Sequence, residues 1–199
     1  LHEAEYSVMP DRIETGTYLI AAMVTHGDVE VDRCVPGPLD SLISKLRECG
    51  ADIHETTDSI RVKSSRKIQS KDVQTFPYPG FPTDLQAQIM AMMSVANGTS
   101  VIIENVFEGR FLHVPELQRM GASITVDGSR AVVNGVPQLT GAQVMASDLR
   151  ASAGLILAGL AAEGETQINR AYHLERGYEY IEDKLQGLGA IVHREPALA

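Results

Sequence analysis

The sequence predicts an α/β fold of three repeated β-α-β-α-β-β units, set with pseudo-threefold symmetry around buried helices. Three observations carry this expectation. First, Gly-Ala or a close match recurs in CGADI (49–53), MGASI (120–124) and LGAIV (188–192). Gly50 and Gly121 are 71 residues apart, and Gly121 and Gly189 are 68 apart. Second, THGDVEV (25–31), ANGTSVII (96–103) and AEGETQI (162–168) place Gly27, Gly98 and Gly164 at intervals of 71 and 66 residues. Two landmark sets with one spacing indicate an internal repeat. Third, a helical stretch that is apolar on nearly every side precedes each member of the second set, as expected of a helix buried all round.

Each unit is expected to start with a short strand: EYSVM (5–9), DVQTF (72–76) or AQVMA (142–146). The apolar helix follows: IETGTYLIAAMVT (13–25), LQAQIMAMMSVA (85–96) or LRASAGLILAGLAA (149–162). The glycine after each is a suitable stop. A strand comes next, in DVEVDRC, TSVIIEN or ETQINR. The second helix is amphipathic. PLDSLISKLREC (38–49) spaces Leu39, Leu42, Ile43 and Leu46 on one face, and VPELQRM (114–120) and ERGYEYIEDKLQGL (175–188) take its place in the other units. Pro38 and Pro115 suit first-turn positions. Hairpins close the units: ADIHE with SIRVK, then ASITV with RAVVN around the Asp127-Gly128 turn. The third unit shows only AIVH, so its last strand is missing or supplied elsewhere. The expected organisation is one domain over 1–199 with repeats at about 5–71, 72–141 and 142–195.

Composition narrows the function. The chain has 199 residues, 44% apolar and 22% charged, which suits a soluble globular protein. No apolar run reaches the roughly 18 residues of a membrane span, and no signal peptide is visible. A net charge of −9 argues against a general nucleic-acid surface. Cys34 and Cys49 are the only cysteines and no CxxC occurs, which argues against a disulfide scaffold or a zinc site and for two reduced thiols.

Repeat symmetry points the three apolar helices the same way, so their N-termini are expected at one end. Each N-terminus carries about half a positive charge and free N–H donors, which suits an anion. The starts carry Asp11-Arg12, Thr83-Asp84 and Ser147-Asp148, with Arg150 two residues on. Asp is a common cap, so capping and catalysis are both open for Asp84. The loops ENVFEGRF (104–111) and NRAYHLERGYEY (169–180) add Arg110 and Arg176, with His113 and His173 in corresponding positions.

PDRIETGTYLIAA, FPTDLQAQ, ENVFEGRF, DLRASAGLILAGLAA and NRAYHLERGYE together resemble the enolpyruvyl transferase family, specifically its UDP-N-acetylglucosamine 1-carboxyvinyltransferase branch. The resemblance runs from about residue 5 to 195. It implies an inside-out α/β barrel domain, the C-terminal one of two. It also implies a cytoplasmic enzyme of peptidoglycan synthesis that moves enolpyruvyl from phosphoenolpyruvate to the sugar 3-hydroxyl with no metal or organic cofactor. By that resemblance Asp84 matches the base, Arg150 and Arg176 match the arginines for phosphoenolpyruvate and the intermediate, and Asp148 matches an acid near the reacting carbon. Val106 and Phe107 match the border of the nucleotide sugar, Arg110 matches an arginine near the cleft, and Thr83 is a packing or capping position at the same site. The family's other domain supplies a loop cysteine, a lysine, an asparagine and much of the uridine site. None has a counterpart here, and Cys34 and Cys49 stand in different contexts. The partner domain is therefore expected to be absent and the chain inactive by itself. The alternatives are a sugar-nucleotide-binding module without catalysis and the related 3-phosphoshikimate 1-carboxyvinyltransferase.

Overall fold

The computed structural model describes residues 2–64 and 67–195. The first unit holds α1 (Arg12–Val24), β1 (Asp28–Asp32), α2 (Asp40–Glu48), β2 (Asp52–Glu55) and β3 (Ser59–Lys63). The second holds β4 (Val73–Gln74), α3 (Gln86–Ser94), β5 (Thr99–Ile103), α4 (Val114–Arg119), β6 (Ser123–Asp127) and β7 (Arg130–Asn134). After β8 (Leu139–Thr140), the third holds β9 (Gln143–Met145), α5 (Leu149–Ala161), β10 (Ala162–Glu163), β11 (Gln167–Asn169) and α6 (Ile181–Gly187).

One sheet pattern underlies all three units. The second sheet runs β4-β5-β7-β6, with β4 parallel to β5 and the other neighbours antiparallel. The first, β1-β3-β2, is the same sheet without its first strand. Among the described residues the third shows the parallel pair β9-β11 and no hairpin, and β10 pairs with β8 separately. Among the described residues no sheet closes into a barrel. The sheets lie outside a packed trio of helices, α1, α3 and α5.

Three expected elements differ. EYSVM forms no strand: residues 5–9 pair with nothing among the described residues, and Tyr6, Val8 and Met9 are exposed. Alternation gave that segment an apolar face, but no sheet edge covers it. AIVH is likewise not a strand, and Ile191 stands exposed. The helix expected over 175–188 is broken into a 3-10 turn, Ala171–Arg176, and α6. Tyr180 between them is left-handed (φ 47°), which a continuing helix cannot accommodate.

The trio is apolar because its members are buried on nearly every side. Every residue of α3 is buried, from Gln86 to Ser94. Met90, Met92 and Met93 fill its core, and flexible thioethers suit irregular gaps. α3 and α5 approach closely at Gly154, where a Cβ would lie 2.9 Å from the Ala87 carbonyl oxygen. A backbone oxygen cannot yield as a side chain can, so this contact requires glycine. No helix is long and apolar enough to cross a membrane among the described residues.

Candidate active site

The three helix starts gather around Tyr178. Its hydroxyl lies 2.9 Å from Thr17 Oγ1, one turn into α1, and accepts from Gln88 Nε2 of α3 at 3.2 Å. Arg150, at the start of α5, is beside the same hydroxyl. Burial raises the Tyr178 pKa, and the hydrogen bonds and the Arg150 charge only partly oppose it, so the phenol stays protonated at neutral pH.

The equivalent aspartates do different work. Asp11 Oδ1 caps α1, accepting from the Ile13 and Glu14 amides at 2.7 and 3.2 Å. Asp148 Oδ1 caps α5, accepting from the Arg150 and Ala151 amides at 2.9 Å each. Asp84 caps nothing. A 3-10 turn, Thr83–Leu85, precedes α3, and Leu85 occupies the cap position. The Asp84 carboxylate is thereby free to point outward. Arg110 Nη2 donates to its Oδ1 at 2.8 Å, and Arg150 Nη2 donates to its Oδ2 at 3.3 Å.

Two loops deliver this cluster. The loop from Phe76 to Phe81 is a tight turn in which Gly80 N–H donates to the Pro77 carbonyl and Phe76 N–H to the Phe81 carbonyl. A Cβ on Gly80 would lie 2.5 Å from Phe76 Cβ. The turn ends at Pro82 and sets Thr83 and Asp84 at the rim. The loop after β5 brings Val106, Phe107 and Arg110. The Arg110 guanidinium lies 4.7 Å from the Phe107 ring centroid, a cation–π contact that orients it toward Asp84. Asp84 is 37% exposed, against 21% for Arg110 and 19% for Arg150. The carboxylate is therefore reachable by a ligand, while both guanidinium groups are partly sunk. Arg150 Nη1 is buried and has no partner among the described residues, and the same holds for Arg12 Nη1.

The chain is similar to known proteins along nearly its whole length. The family EPSP synthase (3-phosphoshikimate 1-carboxyvinyltransferase) matches residues 1–185. The chain belongs to that family. UDP-N-acetylglucosamine 1-carboxyvinyltransferase of Paramagnetospirillum magneticum is 57% identical over 195 residues, which is 98% of this chain and 45% of that protein. The same-named protein of Myxococcus xanthus is 56% identical over 197 residues, 99% of this chain and 47% of its own. The chain thus spans about half the length of the curated relatives it matches. Among solved structures, the enolpyruvyl transferase NikO of Streptomyces tendae superposes with a TM-score of 0.83 at 28% identity, over 94% of this chain and 44% of that one. EPSP synthase of Acinetobacter baumannii gives 0.71 at 19% identity, over 96% and 44%, a likeness of fold. The enolpyruvyl transferase fold is therefore the fold of this chain.

Of the expected site residues, Asp84, Arg110 and Arg150 meet directly, Val106 and Phe107 border them, and Thr83 adjoins them in the chain. Asp148 stands at the start of the same helix as Arg150. Burial raises its pKa, but the Ala151 amide, the Ser147 hydroxyl, the Arg150 amide and nearby His113 outweigh that and hold it below the ordinary value. Arg176 does not join the cluster by any contact among the described residues. It is exposed and lines an open groove of about 490 Å³ with Glu14, Glu175, Glu182 and Arg194. Burial pushes Cys49 up to about 11 and raises Cys34, so neither is a thiolate at neutral pH.

Three residues have surroundings that the local sequence does not reveal. Arg12 reads as a cap neighbour, yet its guanidinium is 5.8 Å from the Tyr78 ring centroid. Tyr178 reads as an ordinary loop aromatic. His113 is wholly buried, and burial, reinforced by Arg110 against the pull of Asp148, pushes its pKa down to about 4. The unfolded chain takes up this proton near pH 6.5 and the folded chain only near 4. His113 therefore makes the fold lose stability as pH falls through that window, by on the order of 3 kcal/mol. Thermal unfolding followed from pH 7 to 4 is expected to fall more steeply for the wild type than for His113→Asn. Equal slopes would remove His113 as the cause.

Proposed function

We propose that this chain is the C-terminal half of a cytoplasmic UDP-N-acetylglucosamine 1-carboxyvinyltransferase, which carries out the first committed step of peptidoglycan synthesis. The observation that carries the proposal is the Asp84 carboxylate, exposed at the rim and flanked by Arg110 and Arg150 rather than spent on a helix cap. The relatives at 56–57% identity support the choice of sugar nucleotide over shikimate 3-phosphate.

In the proposed reaction the sugar 3-hydroxyl adds to C2 of phosphoenolpyruvate. Asp84 takes the hydroxyl proton, and a proton is added at C3 to give a methyl group and a tetrahedral intermediate. A methyl proton is then lost as the bond to phosphate breaks, leaving the enolpyruvyl ether and inorganic phosphate. Arg150, partly sunk between Asp84 and the Tyr178 hydroxyl, is the planar fork for phosphate or carboxylate. Arg176 joins as a second anion-binding arginine when the two domains close. Val106 and Phe107 form the wall for the sugar nucleotide, with Arg110 steadying Asp84 until substrate arrives. Asp148 holds Arg150 in place by fixing the first turn of α5, close to the reacting carbon.

Closure of a second domain excludes water and completes the charge set. The 199-residue chain by itself is accordingly expected to release no phosphate from phosphoenolpyruvate and UDP-N-acetylglucosamine. Joined to the N-terminal half of the enzyme it is expected to turn over. Activity of the lone chain, or a silent complete protein, would count against the proposal. Activity only with shikimate 3-phosphate would reassign the substrate.

A further inference from the structure

Glu104 is 3% exposed, yet its carboxylate is saturated with hydrogen bonds. Oε1 accepts from Thr75 Oγ1 at 2.8 Å, from the Val106 amide at 2.9 Å and from the Phe107 amide at 3.1 Å. Oε2 accepts from Thr83 Oγ1 at 2.9 Å. All four donors are neutral. A buried charge is costly, and only multiple well-aligned donors offset it. A carboxylate accepts in every direction and donates in none, so it can bind two backbone amides and two hydroxyls together.

These donors come from three places. Thr75 follows β4, Val106 and Phe107 belong to the loop after β5, and Thr83 opens the turn that carries Asp84. Thr75 Oγ1 also accepts from the Asn105 amide at 3.0 Å, and Asn105 Nδ2 donates to the Thr75 carbonyl at 3.1 Å. A closed circuit results. It runs from Glu104 through Thr83 to the adjacent Asp84, across to Arg110, over the Phe107 ring, and back through the Phe107 amide to Glu104.

We propose that Glu104 is a positioning residue, fixing the distance between Asp84 and the Val106–Phe107 wall by holding both from beneath. This rests on the transferase function proposed above. A residue reached by no ligand then controls how a substrate hydroxyl meets the carboxylate, and small displacements there are costly: about 1 Å can lower a rate 10²-fold.

The test uses the complete two-domain enzyme. Thr83→Val keeps the side-chain shape and removes only the hydroxyl that donates to Glu104. It is expected to lower kcat by about tenfold while KM for UDP-N-acetylglucosamine stays within about twofold. Thr83→Ser restores the donor and is expected to return kcat to within about threefold of wild type. Glu104→Ala frees both sides and is expected to lower kcat and raise KM together. Hydrogen exchange at the Val106 and Phe107 amides is expected to accelerate in Glu104→Ala and not in Thr83→Val. A Thr83→Val enzyme with wild-type kcat, or a Thr83→Ser enzyme as impaired as Thr83→Val, overturns the assignment. A wild-type enzyme without activity would instead overturn the transferase function, so the two failures are distinguishable.

Discussion

Asp84→Asn in the complete two-domain enzyme is expected to lower kcat by about 10²- to 10⁴-fold, the range for loss of a general base. Asparagine keeps the size of the side chain and one carbonyl acceptor for Arg110 or Arg150, but it cannot take a proton. Substrate KM is therefore expected to change little, since the arginines and the Val106–Phe107 wall are untouched. Folding is expected to survive as well. Asp84 is more than a third exposed, so its two ion pairs contribute at most about 0–1 kcal/mol each after solvent screening. Steady-state phosphate release and a thermal melt measure both. A kcat within threefold of wild type would dismiss Asp84 as the base.

Arg150→Lys is expected to lower kcat/KM for phosphoenolpyruvate by about 10²- to 10³-fold, the cost of removing an aligned donor at developing charge. Lysine keeps the charge and loses the planar fork. Nη2 is engaged with Asp84 while the guanidinium also lies beside the Tyr178 hydroxyl, so the planar group has separate tasks that one ammonium cannot perform together. Asp84 retains its shorter 2.8 Å pair with Arg110, so the fold is expected to melt within a few degrees of wild type. If charge alone mattered, the lysine enzyme would keep its kcat/KM. Measuring KM for both substrates locates the loss, because in the proposed reaction the sugar nucleotide rests on the loop after β5.

The repeat and the buried trio were legible because glycine landmarks and all-round apolar helices are properties of the chain itself. The sheet edges were not. EYSVM and AIVH alternate as strands do, but alternation states what a strand could bury, not whether an edge lies beside it. The site was half legible. Asp11, Asp84 and Asp148 are equivalent in the pattern, and only the resemblance singled out Asp84. What separates them physically is a 3-10 turn that gives Leu85 the cap position, and two arginines 26 and 66 residues further along. Neither is encoded near Asp84. Glu104 was hidden for the opposite reason: ENVF reads as polar loop, and nothing local reveals a carboxylate turned inward to hold three segments.

The close approach at Gly154 acquires a second meaning from where it lies. Gly154 is one helical turn below Arg150 on the same face, and Ala87 is three residues below Asp84. The backbone contact between α3 and α5 thus works as a spacer gauge for the charged pair above it. A single added methyl in the interior would widen the gap that Arg150 has to bridge. The geometry of the charged pair at the surface therefore depends on a glycine in the core that makes no contact with either charge.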